Sequence, residues 1–128
     1  MARKKSPGLT ESELRLMEVI WRKGSATVTE VVAMLPKSLD LAYNTVLTTL
    51  RILEDKGYLR HTTGKDSRAF IYSPLVSRKQ ASRSAVGLLL RRFFGDSAEA
   101  LVLNLIEDEK LGDAELKRVR RLLKDKSE

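Results

Sequence analysis

At Gly57 the hydrophobic repeat of this 128-residue chain changes period. Before it, apolar side chains recur every three to four residues, the spacing that lays them along one face of a helix. After it, Tyr58-Leu59-Arg60-His61-Thr62-Thr63 and Ala69-Phe70-Ile71-Tyr72-Ser73 follow a period of two. Between these runs lies Gly64-Lys65-Asp66-Ser67-Arg68, a polar turn with a glycine, and Pro74 closes the second run. Two short strands about such a turn read as a β-hairpin.

Three helices are expected ahead of the hairpin. Thr10 and Glu13 have capping-box spacing, and Leu9 and Leu14 stand where a hydrophobic staple needs them. Leu14, Met17, Val19, Ile20 and Trp21 then give a broad apolar face, with Gly24 as the stop. Thr27 and Glu30 repeat the box for a short helix with Val28, Val31, Val32 and Leu35, ended by Pro36. A third helix is expected from about Leu41 to Lys56, with Asp40 as N-cap and Gly57 as the stop.

That third helix has two unlike faces. Ala42, Tyr43, Val46, Leu47, Leu50 and Leu53 fall on one side at 100° per residue; Asn44, Thr45, Thr48, Thr49 and Arg51, with Ile52 among them, fall on the other. A merely solvated helix favours Glu, Lys, Gln or Ala, and each threonine costs ~0.5 kcal/mol of helix propensity against alanine. A compact, hydrogen-bonding, non-acidic face suits a nucleic-acid groove; the alternative is a mediocre helix rescued by packing. Three helices followed by a two-stranded hairpin is the order of a winged helix-turn-helix, whose third helix enters a major groove while the wing touches nearby backbone.

From Ser77 the chain is helical again. Ser77 and Gln80 give a third capping-box spacing, and the helix runs to about Phe94 through Ala81, Ala85, Val86, Leu88, Leu89, Leu90 and Phe93. Gly95-Asp96 breaks it, Ala98 to Ile106 forms a short helix rich in leucine, and Leu111-Gly112-Asp113 precedes a last helix. The fold class is therefore mostly α with a small β-hairpin: a basic arm over residues 1–8, a winged helix over 9–76 and a helical region over 77–128. Helices this apolar, appended to a domain with its own core, are expected to bury Leu89, Phe93, Leu101, Val102, Leu105, Leu116, Val119 and Leu122 in a two-fold homodimer. The alternative is that they fold back on their own winged domain.

Charge divides the chain the same way. Residues 1–83 hold 15 basic and 8 acidic side chains, a net +7, whereas residues 84–128 hold 9 of each. The excess points to a polyanionic partner for the N-terminal part, against a plain solubilising surface as the alternative. The absence of cysteine excludes disulfides, thiol catalysis and Cys-ligated zinc or iron–sulfur clusters. His61 stands alone, and no phosphate loop, HExxH or GxSxG is present. Glu107-Asp108-Glu109 reads as a solvated turn rather than a cation site. Neither enzymatic activity nor a cofactor or metal is expected. No apolar run approaches the ~20 residues of a membrane helix, and the basic start Met1 to Gly8 has no apolar stretch behind it, so a cytoplasmic protein is expected.

On double-stranded DNA, Asn44 suits a bidentate pairing with adenine and Arg51 a guanine or phosphate, and the methyls of Thr45, Thr48 and Thr49 suit thymine methyls. Tyr43, at the edge of the core face, would reach a phosphate through its hydroxyl. Arg3, Lys4 and Lys5 on the arm, Lys65 and Arg68 in the wing, and Arg78 and Lys79 would neutralise phosphates. A competing reading is a winged-helix adaptor that binds a protein partner and DNA without sequence preference. RNA binding ranks lower, because the third helix and wing lack an aromatic stacking platform.

Leu9-Thr10-Glu11-Ser12-Glu13 with Trp21, then Leu41-Ala42-Tyr43-Asn44-Thr45-Val46 and Leu53-Glu54-Asp55-Lys56-Gly57-Tyr58-Leu59, then Phe70-Ile71-Tyr72-Ser73-Pro74-Leu75-Val76, resemble the BlaI/MecI family of bacterial penicillinase repressors. The likeness spans roughly residues 9–124. It implies a homodimeric winged-helix transcriptional repressor on inverted-repeat operators, dimerised through its C-terminal helices. In antibiotic-responsive members a membrane metalloprotease sensor system leads to cleavage of an Asn-Phe bond in a stretch resembling Leu101-Val102-Leu103-Asn104-Leu105. Here Asn104 matches and Leu105 replaces the phenylalanine, which leaves open whether this bond is cut. The copper-responsive branch carries a C-terminal cysteine motif that this chain lacks.

Overall fold

A computed structural model describes residues 8–66 and 68–127 of the chain. The elements run α1 (Glu11–Lys23), β1 (Ala26–Thr27), α2 (Val28–Met34), a 3₁₀ turn (Lys37–Leu39), α3 (Tyr43–Asp55), β2 (Leu59–Thr63), β3 (Phe70–Pro74), α4 (Arg78–Phe93), α5 (Ala98–Glu107) and α6 (Asp113–Ser127). They fall into two compact units divided after Val86, within α4. The basic arm expected before Gly8 lies outside the described residues.

The first unit is built from locally capped helices. At α1 the Thr10 hydroxyl accepts from the Glu13 N–H at 3.2 Å and Glu13 Oε1 accepts from the Thr10 N–H at 2.8 Å. Thr27 and Glu30 repeat both bonds at the start of α2. Reciprocal capping of this kind satisfies backbone donors that the first helical turn leaves open. Gly57 ends α3 with φ 90°, a conformation that glycine adopts without Cβ strain. There the Tyr58 N–H reaches the Leu53 carbonyl at 2.9 Å and the Gly57 N–H reaches that of Glu54 at 3.0 Å, a Schellman closure.

Leu16, Met17 and Ile20 of α1, Val31 of α2, Val46, Leu50 and Leu53 of α3, and Leu59 and Tyr72 of the sheet form one fully buried core. Leu14, expected on the apolar face of α1, is instead 39% exposed, while Leu16 lies buried in its stead. The helix is covered by α2, α3 and β3 together, so the side that these elements reach, and not the mean apolar direction, sets its buried face. Lys56 Nζ approaches Glu13 Oε1 at 2.7 Å and ties the end of α3 to the start of α1. Burial pushes the Glu13 carboxyl up, but the hydrogen bonds from Lys56 and the Thr10 N–H outweigh it and hold the group below its ordinary range.

Two further expectations are corrected. The hairpin is part of a three-stranded antiparallel sheet of order β1-β3-β2, in which Ala26 and Thr27 pair with Tyr72 and Ile71. A two-residue strand is too short to show a period, and Thr27 serves at once as strand end and helix cap. Asp40 does not cap the third helix: it sits at φ 43° at the end of the 3₁₀ turn, and α3 starts two residues later than expected, after Ala42 and with no side-chain cap. Leu39 and Leu41 both pack on the core, and holding both there keeps the intervening backbone out of helix.

The second unit contains the end of α4, then α5 and α6. The Ser97 hydroxyl caps α5 by accepting from the Ala100 N–H at 3.0 Å. No residue of α4, α5 or α6 is buried.

Candidate nucleic-acid interface

The buried edge of α3 dictates what its other side presents. Val46, Leu50 and Leu53, spaced by four and three, pin the helix to the core. Asn44, Thr45, Thr48 and Arg51 consequently point outward and are exposed. Thr49 is half-buried, and its hydroxyl donates to the Thr45 carbonyl at 2.8 Å, so that donor is occupied within the helix. Tyr43 opens α3 with half its surface exposed, outside the core.

The wing adds cations beside this face. Lys65 and Arg68 are exposed in the turn between β2 and β3. Among the described residues no carboxylate lies within ion-pair distance of Arg51, Lys65 or Arg68. Tyr43, Arg51, Arg68, Thr29 and Phe70 line one groove of about 260 Å³. The structure therefore brings Tyr43, Arg51 and Arg68 together, whereas Asn44, Thr45, Thr48 and Lys65 lie outside that groove. Arg78 is turned to another task, its guanidinium standing 5.0 Å from the centre of the Trp21 ring.

A brace of stacked rings and a histidine–carboxylate hydrogen bond holds the wing against α3. His61 Nδ1 of β2 lies 2.7 Å from Glu54 Oε2 on α3, and the imidazole stacks on Phe70 at 4.1 Å with an 18° tilt. The Tyr72 ring follows at 5.8 Å. The Tyr72 hydroxyl is buried with no hydrogen-bond partner among the described residues. Burial pushes this phenol up, Glu54 adds to the effect and Arg51 opposes it.

In the second unit Phe93 is 74% exposed, Leu122 67%, and Leu89, Val102 and Val119 about 40%. Leu101, Leu105 and Leu116 are half-buried. Asn104 is exposed in the middle of α5, and its carbonyl accepts from the Asp108 N–H at 3.0 Å. Among the described residues no group of three or more acidic or histidine side chains forms a metal cage, and no helix is long and apolar enough to cross a membrane.

A sequence profile of penicillinase repressors matches residues 9–125 of the chain. The chain belongs to the penicillinase repressor family. Its fold class, function and catalytic silence follow from that membership: these are winged-helix, DNA-binding transcriptional repressors and not enzymes. The penicillinase repressor of Bacillus licheniformis is 30% identical over 122 residues, which cover 95% of this chain and 94% of that one. The solution structure of the DNA-binding domain of the repressor BlaI is 33% identical, with a TM-score of 0.52 over 61% of this chain and 93% of that chain. The monomeric form of Bacillus licheniformis BlaI in complex with the blaP half-operator matches with the same identity and coverage and a TM-score of 0.50.

For this penicillinase repressor, sequence reasoning missed Thr29 and Phe70 in the groove beside Tyr43, as well as the Glu54–His61 brace. The exposed threonine in the first turn of α2 was a usable signal, since the first helix of a helix-turn-helix crosses the DNA backbone. The brace joins residues on two different elements and leaves no local pattern to read.

Proposed function

We propose that this repressor reads an operator through α3 and clamps it with the wing, as a homodimer assembled through the second unit. The observation that carries the reading is the outward face of α3: Asn44, Thr45, Thr48 and Arg51 stand exposed on one side of a pinned helix, next to cations that no carboxylate neutralises among the described residues. Asn44 and Arg51 would address base edges, Thr45, Thr48 and Thr49 the thymine methyls, and Tyr43, Lys65 and Arg68 the phosphates. The exposed Phe93, Val102, Val119 and Leu122, with Leu89, Leu101, Leu105 and Leu116 beside them, would meet the same residues of a second copy. Winged helix over residues 9–76, dimerisation region over 77–128 and the cytoplasm as workplace belong to the same reading.

Release would follow from cutting the Asn104–Leu105 bond by a membrane metalloprotease sensor system. That bond lies within α5, where both neighbouring carbonyls accept backbone hydrogen bonds, so α5 must unwind before a protease can take it as an extended strand. Cutting there detaches α6 and turns two linked half-site contacts into two independent ones.

The test is fluorescence anisotropy with the DNA upstream of the chain's own gene and a shuffled duplex, each at several salt concentrations. Affinity for the native duplex ~10³-fold or more above the shuffled one is expected. Equal affinities that vanish together as salt rises would overturn sequence reading and favour the adaptor alternative.

A further inference from the structure

A second concavity in the first unit, of about 450 Å³, shares no residue with the α3 face. Leu9, Leu14, Trp21, Tyr58, Ala81 and Ala85 form its walls, and the exposed Leu14 thereby has an apolar surrounding. Its volume falls in the range of sites that hold small organic molecules, ~300–1,000 Å³. Its charged groups are Arg78 and Glu18.

Arg78 defines the ligand chemistry. Its guanidinium rests over the Trp21 ring at 5.0 Å, and no carboxylate among the described residues pairs with it. A tryptophan face already covered by one cation is closed to a second. The planar fork of N–H donors, left unpaired beside an apolar wall, matches a carboxylate. Glu18 on the same wall repels further negative charge and so selects a single anionic group.

We propose that this cavity binds a small apolar carboxylic acid, its hydrocarbon or aryl body against Trp21 and Leu14 and its carboxylate on Arg78. The site adjoins the anchor of α4. Trp21 Nε1 donates to the Val76 carbonyl at 2.8 Å, and Arg78 is the first residue of α4, so one indole holds both the backbone before the helix and its first side chain. A carboxylate on Arg78 competes with the indole for that side chain and loosens the start of α4. Because α4 carries the chain into the second unit, the loosening weakens the linkage between two half-sites; this consequence rests on the dimeric operator reading above.

Trp21 is the only tryptophan of the chain, so its emission reports on the cavity directly. The probe is 3-phenylpropionate titrated into the full chain, with 3-phenylpropionamide as the uncharged isostere. A saturable change in emission is expected with a Kd of about 1 mM or below, and at least about tenfold weaker for the amide. Arg78→Gln should weaken acid binding by about tenfold as well. Ala85→Phe, on an exposed position of α4, should fill the cavity and abolish the response with the far-UV circular dichroism unchanged. If that variant does not fold, Arg78→Gln decides alone. Equal, non-saturating changes with acid and amide would overturn the proposal, as would saturable binding indifferent to Arg78→Gln. Binding seen only when the chain sediments as a monomer would also overturn it, by showing that a second copy covers the cavity. With the acid at saturation, affinity for a two-half-site duplex should fall about tenfold while a single half-site is bound as before. Unchanged affinity for both would overturn the coupling to α4 and leave the emission titration to judge the site, even if the chain proved not to read sequence at all.

Discussion

On the proposed reading, replacing Asn44 by alanine should separate recognition of bases from everything else that this chain does with DNA. Asn44 lies in the first turn of α3, exposed, with no hydrogen bond of its own among the described residues. Removing its amide therefore breaks no contact of the fold, and alanine recovers ~0.5 kcal/mol of helix propensity. The thermal midpoint should stay level or rise slightly. A bidentate amide–adenine contact is worth ~1–3 kcal/mol of discrimination, and a dimer makes it twice, for a loss of ~2–6 kcal/mol on an operator. That is a weakening of ~30-fold to ~10⁴-fold in Kd. On a shuffled duplex the phosphates dominate, so the same variant should lose less than about twofold. Lys65→Ala is the control. It removes one phosphate contact per copy, weakens both duplexes alike, and lowers the slope of log affinity against log salt by ~0.9 per copy. Anisotropy titrations of both variants on both duplexes at three salt concentrations measure all of these quantities. Equal losses for Asn44→Ala on operator and shuffled DNA would refute base reading by this residue. A marked fall in its thermal midpoint would refute the premise that its amide is free.

Three further outcomes follow from the same structure. Leu122, 67% exposed on α6, should become a buried position in the proposed dimer, and Leu122→Asp there forfeits ~2 kcal/mol of apolar burial per copy and adds the cost of burying a charge. Sedimentation at micromolar concentration should move from twice 14.4 kDa toward 14.4 kDa, and an unchanged dimer would refute assembly through α6. The Glu13 carboxyl is held below its ordinary range when folded, so its contribution to stability is complete above that range and is lost as pH falls through the folded value. Glu13→Gln should flatten the acid side of the stability profile in denaturant titrations, and an unaltered profile would assign the acid sensitivity elsewhere. Tyr72→Phe removes a buried hydroxyl that has no hydrogen-bond partner among the described residues and should leave stability level or raise it by up to ~1 kcal/mol; a loss of that size would show that the hydroxyl is hydrogen-bonded in solution.

What was legible in the sequence is what is local in space. The Thr10–Glu13, Thr27–Glu30 and Ser77–Gln80 pairs all form their reciprocal hydrogen bonds, because a capping box spans four residues and needs nothing from elsewhere. Likewise the wheel of α3 places Val46, Leu50 and Leu53 inward and Asn44, Thr45, Thr48, Arg51 and Ile52 outward, but it sets Ala42 and Tyr43 on the core side, where both are exposed, and Thr49 on the outer side, where it is half-buried. What escaped depends on distant partners. Leu16 is buried because several elements converge on α1, Asp40 is displaced from the cap because Leu39 and Leu41 are both claimed by the core, and β1 exists only because β3 offers it an edge. The ties from Trp21 to Val76 and from Glu13 to Lys56 bridge 55 and 43 residues, and the groove uniting Tyr43, Arg51 and Arg68 joins a helix to a turn. The fold class was thus readable, whereas the shape of the candidate site was not.

The two units differ in how each could remain folded. The first buries nine large side chains completely, α1 and α2 are capped by their boxes and its elements are cross-tied, so it has the contents of a self-sufficient domain. The second offers Phe93, Val102, Leu103, Val119, Leu122 and Leu123 to its surroundings, and none of α4, α5 or α6 holds a buried residue. Helices of 10 and 15 residues are marginal in water without an apolar face to cover. In the proposed dimer, then, folding of the second unit and association of two copies are one equilibrium and not two. On that scheme a disturbance of α5 acts on assembly, while the core around Leu50 and Tyr72 belongs to the other unit. The reading unit survives such a disturbance intact, still able to meet one half-site, but it has lost the effective concentration that the linkage supplied. Repression on this scheme ends without any change in α3 or the wing.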